Sequence, residues 1–198
     1  MNMGQTNKGV LLTTNHYSAS DFHSWWLVII ISGIIPCHVH WVVSAGWTNS
    51  GWLTNFTHWL FPIGAKVLGF TPMPAMPPDP GEAEKRSIAV REVLAYASHT
   101  FHPVIGLTPE GRDIPGGVLG NLPSGVGRFI DLLSRYCPYV LPVGVWKENG
   151  TINLKFGSPY LLEMPTGLSA SDRDQRAGVL VMKHIAELLP EQLRGEYT

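Results

Sequence analysis

Residues 10–31 read VLLTTNHYSASDFHSWWLVIII and place an apolar segment, a polar segment and a second apolar segment in direct succession. The first five residues are apolar or β-branched, which favours a short buried strand. Asn15–Ser20 is polar and typical of a turn. A helix is predicted to begin near Asp21 and to continue through Trp25–Ile31. The stretch therefore predicts a strand–turn–helix unit, the building block of an α/β fold.

The rest of the chain continues this alternation. Strands are predicted at His38–Ser44, His102–Thr108, Val140–Trp146 and Ile152–Phe156, and helices at Leu53–Leu68, Glu82–Ala97, Val126–Arg135 and Ser171–Leu189. Asn149-Gly150 predicts a hairpin turn, because both residues tolerate a positive φ. Thr71–Gly81 contains five prolines, which predicts a long loop rather than a helix or central strand. Ser171 and Asp174 are predicted to cap the last helix.

The length and composition predict one α/β domain with a mixed sheet flanked by helices. The 198 residues match a single domain, with a core from about residue 9 to residue 189. The two cysteines, Cys37 and Cys137, lie far apart, which excludes a disulfide-rich scaffold or a cysteine zinc ribbon. The net charge of -1 supplies no overall basic field, so we expect no nucleic-acid partner.

One long stretch lacks charge and is rich in tryptophan. Between Phe22 and Ala65 there is no Asp, Glu, Lys or Arg, and six of the seven tryptophans lie there. Its longest nearly apolar run, Trp25–Cys37, is shorter than the roughly 20 residues of a spanning helix. The stretch fits either a buried core or a surface that faces lipid, and both can hold together. Because no secretory signal is recognisable, we expect a cytoplasmic protein in peripheral contact with the cytoplasmic face of a membrane.

A histidine and an aspartate follow the first predicted strand. His16 comes directly after its polar end, and Asp21 lies five positions later in the first predicted helical turn, where the helix dipole favours an ionised carboxylate. A carboxylate folded back onto one imidazole nitrogen fixes the other as a proton acceptor, as a general base requires. The same spacing also arises by chance, so the pair alone does not establish catalysis.

A second polar group follows the strand predicted at His102–Thr108. It consists of Glu110, Gly111 and Arg112. Ligands bind at the carboxyl edge of parallel strands, so we expect this group on the same edge as His16. A guanidinium can donate two parallel hydrogen bonds to a phosphate or carboxylate, and a glycine lets the backbone approach a ligand. Taken alone, the group also fits an ordinary surface ion pair.

Together the two groups resemble the glycerolipid acyltransferase family, the enzymes that acylate glycerol phosphate and lysophospholipids. The stretch Asn15–Asp21 is similar to the first motif of that family, and Pro109–Arg112 looks like its third motif without the threonine. Leu122–Gly127 resembles the segment that leads into the next helix, and Leu141–Val145 resembles the fourth motif. The resemblance covers most of the chain and implies an acyltransferase-like fold.

The resemblance also implies a reaction. An acyl group would move from a thioester donor, acyl-CoA or acyl-carrier protein, to a hydroxyl of a glycerol phosphate, a lysophospholipid or a related lipid alcohol. His16 would remove the hydroxyl proton, and Asp21 would orient His16. Glu110, Gly111 and Arg112 would hold the polar head of the acceptor. The thioester is a co-substrate, so no further cofactor is implied.

Two questions stay open at this stage: whether the acceptor carries a phosphate, and whether the protein catalyses acyl transfer at all. The region of the second family motif, here Gly69–Gly81, contains no Arg or Lys, so the acceptor need not carry a phosphate. A lipid-binding protein without catalysis and a thioester hydrolase that activates water with His16 are the alternatives. A metal site is not expected, because His38 and His40 alternate on a predicted strand without ligand spacing.

Overall fold

A computed structural model describes residues 8–44, 68–74, 80–112 and 115–198. Strands span Val10–Thr14 (β1), His40–Ser44 (β2), Thr71–Met73 (β3), Val104–Leu107 (β4), Tyr139–Glu148 (β5), Thr151–Phe156 (β6) and Tyr160–Leu161 (β7). Helices span Trp25–Ile34 (α1), Ala83–His99 (α2), Val126–Leu133 (α3) and Ala170–Ala186 (α4). Apart from its last residue, the helix predicted at Leu53–Leu68 lies outside the described residues.

The strands form one mixed sheet in the order β3-β2-β4-β1-β5-β6, with β7 also paired to β5. The first five strands are parallel, whereas β6 and β7 run antiparallel to β5. Asn149 and Gly150 adopt positive φ angles of 50° and 79° between β5 and β6, which confirms the predicted hairpin turn. The structure thus confirms a single α/β domain with a mixed sheet flanked by helices.

Two apolar clusters cover the two faces of the sheet. Successive strand residues point to opposite faces, so Leu11 and Leu12 of β1 belong to different clusters. Leu11 packs in the cluster that contains α2, α3 and α4, and Leu12 packs in the cluster that contains α1 and Trp41. This arrangement leaves the carboxyl edge of the parallel strands open for the loops that follow β1 and β4.

The first helix begins later than predicted. Ala19 and Phe22 exchange two backbone hydrogen bonds, of 2.8 and 3.1 Å, and close a tight turn with Asp21 near its tip. Helix α1 begins only at Trp25. The prediction that Asp21 lies in the first helical turn is therefore wrong, and the helix dipole does not act on its carboxylate.

The proline-rich segment contains a strand that the sequence analysis predicted as loop. Thr71–Met73 pairs in parallel with β2, at the end of the strand order. Pro72 cannot donate a hydrogen bond to the ladder, and β3 tolerates this because one of its sides has no partner strand among the described residues. The prediction of a continuous loop over Thr71–Gly81 is wrong at its beginning for this reason.

The last helix is capped by other residues than predicted. Ser169, rather than Ser171, caps α4, because its hydroxyl accepts a hydrogen bond of 3.1 Å from the amide of Asp172. The carboxylate of Asp174 instead accepts the amides of Gly125 and Arg128, at 2.7 and 2.8 Å, at the start of α3. Asp174 therefore joins two helices and fixes the beginning of α3 near the carboxyl edge.

Candidate active site

The two polar groups meet at the carboxyl edge of adjacent strands. His16 follows β1, and Glu110 follows β4, which pairs directly with β1. The backbone amide of His16 donates a hydrogen bond of 2.6 Å to Oε2 of Glu110. The prediction that both groups lie on the same edge is confirmed by this contact.

Glu110 is a buried carboxylate with main-chain donors on both oxygens. Its exposure is 2%, and Oε1 accepts the amide of Gly120 at 2.8 Å while Oε2 accepts that of His16. Burial raises the pKa of Glu110 above its ordinary value of 4.5, and the two hydrogen bonds act in the opposite direction. The nearby charges of His16 and Arg112 also lower this pKa. The side chain therefore fixes the backbone of His16 instead of pointing to a ligand.

Asn15 anchors the same loop from the other side. Its side chain is buried, donates a hydrogen bond of 2.8 Å to the carbonyl of Val145 and accepts one of 2.8 Å from the Val145 amide. Strand β5 extends beyond the end of β1, so Val145 is available to a side chain instead of to a β1 residue. His16 thus lies between two anchored side chains, Asn15 before it and Glu110 beside it.

Asp21 lies at the surface and pairs with Lys147. The ammonium group of Lys147, near the end of β5, donates a hydrogen bond to Oδ2 of Asp21, whose side chain is 63% exposed. This hydrogen bond and the charge of Lys147 lower the pKa of Asp21. The loop after β1 is therefore attached to β5 at Asp21 as well as at Asn15. The orienting role that the family resemblance gives Asp21 stays a prediction.

Gly111 and Arg112 occupy a turn beside the buried carboxylate. Gly111 has a positive φ of 64°, and its amide donates a hydrogen bond of 3.1 Å to the carbonyl of Thr108. Arg112 is exposed next to this turn. A glycine suits the turn because other residues rarely adopt this φ. Arg112 is thus exposed to solvent next to Gly111, whereas Glu110 is buried.

A mainly apolar pocket opens beside the same turn. Its volume is about 140 Å³, and Pro109 and Gly111 form part of its wall. The remaining wall comes from β2, β3, α2 and the start of α3, and includes the apolar side chains of Val43, Met73 and Phe129. Arg86 of α2 also lines it and adds a cation. Mainly apolar pockets with a few polar groups are typical of small-molecule sites.

Several residues of this edge were not predicted. Asn15 carried one signal, since a polar side chain at the end of a buried strand must find hydrogen-bond partners. Gly120 and Lys147 carried none, because Gly120 meets Glu110 through an irregular loop and Lys147 is 126 positions from Asp21. Long-range contacts of this kind are created by the sheet order alone.

The described residues carry no further chemical signature. None of their helices is long and apolar enough to cross a membrane. They contain no group of three or more His, Cys, Asp or Glu placed to hold a metal ion. Comparisons with protein-family models, curated proteins and solved structures found no match for this chain.

Proposed function

We propose that the protein is an O-acyltransferase that uses a thioester donor, acyl-CoA or acyl-carrier protein, and a lipid hydroxyl as acceptor. The observation that carries this proposal is the hydrogen bond of 2.6 Å between the His16 amide and Glu110. It joins the two groups of residues that resemble the first and third family motifs. The neighbouring apolar pocket supports a substrate with an acyl chain.

In the proposed reaction, His16 takes the proton of the acceptor hydroxyl, and the hydroxyl oxygen attacks the thioester carbonyl. The tetrahedral intermediate then expels the thiolate, and the thiolate takes the proton from the imidazolium. Proton transfer of this kind contributes about 10²- to 10⁴-fold in rate. Glu110 holds the backbone of His16 in place. Asp21 adds orientation of His16 in the same scheme.

The polar head of the acceptor is proposed to bind at Gly111 and Arg112. Gly111 lines the pocket and Arg112 beside it is exposed, and an exposed guanidinium can donate paired hydrogen bonds to a phosphate. Glu110 no longer belongs to this subsite, because both of its oxygens already accept main-chain amides. Arg86, which lines the pocket, is a second cation within the same region.

An acyl-transfer assay tests this function directly. Palmitoyl-CoA is incubated with glycerol 3-phosphate, lysophosphatidate, lysophosphatidylcholine or hexadecanol, and the products are identified by mass. We expect release of CoA that depends on the acceptor and an acylated product, both lost in His16→Ala. Release of CoA that is independent of acceptor would identify a hydrolase. Binding of lipid without CoA release would identify a lipid-binding protein.

The acceptor subsite is tested by comparing two arginines. Arg112→Ala is expected to raise the acceptor KM by about 10- to 100-fold with an anionic acceptor, since a hydrogen bond to a charged group contributes about 1.5–3 kcal/mol. Arg112→Lys should raise the acceptor KM less, because lysine keeps the positive charge but lacks the planar guanidinium that can donate two parallel hydrogen bonds. An effect of Arg86→Ala alone would place the anion in the pocket. No effect of either would favour a neutral alcohol.

Membrane contact is proposed through the outer face of α1. This helix contains no charged residue, and Trp26, Ile29 and Ile34 are 41%, 53% and 54% exposed. Trp25 and Trp26 stack with their ring centroids 4.2 Å apart at its beginning. Tryptophans favour the bilayer interface, so this face fits peripheral contact.

Liposome co-sedimentation tests that contact with a matched pair of variants. Ile29→Ser should weaken binding to phosphatidylcholine vesicles, whereas Val179→Ser, an exposed apolar residue of α4, should not. Binding should persist in high salt, because apolar burial is not screened. Binding that disappears in salt would indicate charge attraction, and no binding of the unaltered protein would contradict the proposed contact.

A further inference from the structure

The segment that follows α4 packs against the loop between β4 and α3. This 191–197 segment contains the helical turn Glu191–Leu193 and the buried side chain of Tyr197. The amide of Leu119 donates a hydrogen bond of 2.9 Å to the carbonyl of Leu193. The hydroxyl of Tyr197 donates one of 3.4 Å to the carbonyl of Gly120. The segment therefore holds two consecutive residues of that loop through their main chain.

At Gly195 the 191–197 segment comes very close to the main chain of Leu119. It has a positive φ of 57°, and a Cβ built there would overlap the carbonyl oxygen of Leu119. The 191–197 segment can approach the loop this closely only because residue 195 has no side chain. Substitution of Gly195 must therefore displace the segment or the loop.

The opposite side of the 115–120 loop faces the candidate active site. The amide of Gly120 donates the hydrogen bond of 2.8 Å to Oε1 of Glu110. At Gly117, φ is 70° and a Cβ would come within 2.6 Å of the Tyr17 ring. One short loop thus contacts the 191–197 segment on one side, and Glu110 and Tyr17, the residue after His16, on the other.

We propose that Gly195 and Tyr197 are positioning residues for His16. They fix the 115–120 loop so that the Gly120 amide meets Glu110, and Glu110 in turn holds the amide of His16. Neither residue touches a substrate site described above. The effect on catalysis rests on the proposed function, whereas the effect on the position of His16 does not.

The physical reason is the cost of a buried carboxylate. An ionised carboxylate remains inside a protein only when hydrogen bonds replace its lost water. Glu110 accepts hydrogen bonds from two main-chain amides, those of Gly120 and His16. Loss of the Gly120 amide therefore leaves one of its two oxygens without a main-chain donor. The carboxylate must then take up a proton or turn toward water. Either change weakens its hold on the His16 amide.

Amide hydrogen exchange measured by NMR on the full ¹⁵N-labelled chain tests the proposal. In Gly195→Ala the amides of Gly120 and His16 should both exchange about tenfold faster or more, whereas the Leu12 amide in the core of β1 should not change. Gly150→Ala is the matched control. Its φ is also positive, at 79°, but a Cβ there meets nothing within 4 Å. This control should leave all three amides unchanged.

Two outcomes of the exchange measurement overturn the proposal. If Gly120 exchanges faster and His16 does not, the 191–197 segment does not act on His16. If neither amide changes, the segment does not hold the loop. Should Gly195→Ala fail to fold, Tyr197→Phe removes the hydroxyl and with it the bond to Gly120, and the same two amides should exchange faster by a smaller factor.

Kinetics separate positioning from general stability. With palmitoyl-CoA and an acceptor from the assay above, Gly195→Ala should lower kcat and leave the palmitoyl-CoA KM unchanged, because the segment does not line the pocket. An unchanged kcat despite faster exchange would overturn the catalytic part of the proposal. If the unaltered protein shows no transfer, the proposed function fails, and the exchange data still decide whether the segment positions His16.

Discussion

Two carboxylates of the candidate site, Glu110 and Asp21, differ in burial, in hydrogen-bond partners and in the direction of their pKa shifts. Glu110 is 2% exposed and accepts two main-chain amides, whereas the side chain of Asp21 is 63% exposed and pairs with the ammonium group of Lys147. The pKa of Glu110 is raised because burial penalises its charge. The pKa of Asp21 is lowered because Lys147 stabilises its charge.

Burial and hydrogen-bond partners thus give the two carboxylates different structural settings. The family resemblance gives Asp21 the task of orienting His16 and Glu110 the task of binding a ligand. In the structure, Glu110 makes the direct contact with the backbone of His16. A buried carboxylate with fixed donors positions its partners rigidly, whereas an exposed ion pair is screened by water and contributes little.

Removal of Glu110 should have the largest effect. Glu110→Ala leaves the amides of His16 and Gly120 without their acceptor, and each unsatisfied buried donor costs about 1–3 kcal/mol, so we expect a loss of about 2–6 kcal/mol in unfolding free energy. Glu110→Gln should lose less, because its amide oxygen still accepts one bond. Urea unfolding measures both variants. A loss no greater than that of the exposed control Glu163→Gln would contradict the buried-anchor interpretation.

His16→Ala should separate chemistry from stability. Alanine keeps the backbone amide that Glu110 holds, so the unfolding free energy should change by less than about 1 kcal/mol. Under the proposed function, acyl transfer should fall by about 10²- to 10⁴-fold, because the base is lost. The measurement is CoA release with the acceptor that serves the unaltered protein. Turnover equal to that of the unaltered protein would refute His16 as the base.

The pH dependence of stability should have opposite signs at the two carboxylates. Because the pKa of Glu110 is raised in the folded protein, its stabilising contribution is present below pH 4.5 and is lost as the pH rises through the pKa of the folded state. The advantage of the unaltered protein over Glu110→Gln should therefore shrink upward from pH 4.5. Because the pKa of Asp21 is lowered in the folded protein, its stabilising contribution is present above pH 3.8 and is lost as the pH falls through the pKa of the folded state. Parallel pH profiles for Glu110→Gln and Asp21→Asn would contradict the contrast.

Asp21→Asn should have the smallest effect, and Lys147→Gln is its matched partner. Because the pair is exposed, each change should lower the urea midpoint only slightly, and less than Glu110→Gln does. If Asp21 orients His16 as the resemblance implies, Asp21→Asn should lower kcat several-fold, less than His16→Ala does, and Lys147→Gln should not. Equal losses in both variants would mean that the ion pair merely anchors the loop.

The architecture was largely predictable from local patterns. Val10–Thr14 and the hairpin turn at Asn149 follow from side-chain type and backbone preference, which act over a few residues. The start of α1 was misplaced because two backbone bonds between Ala19 and Phe22 form a turn that competes with the helix. The strand at Thr71–Met73 was missed because its proline, Pro72, is tolerated only at an edge, and edge position is a property of the whole sheet.

The candidate site was predictable in part. Placement of His16 and Glu110 on one edge followed from the rule that parallel strands end at the same side of a sheet. The partners of each carboxylate were not predictable, because Lys147 is 126 positions from Asp21. Asp174 shows the same limit, since it was predicted to cap its own helix and instead caps α3.

The sequence by itself determined most of the strands and helices, though not β3, β7 or the start of α1, and that His16 and Glu110 follow strands that end in polar turns. Propensity, apolar periodicity and turn chemistry act between near neighbours, so these features can be predicted from short stretches of sequence. Only the tertiary structure decided that Glu110 is buried and Asp21 exposed. Burial and hydrogen-bond partners depend on which distant segments the sheet order brings together, and they set the charge state and rigidity of each carboxylate.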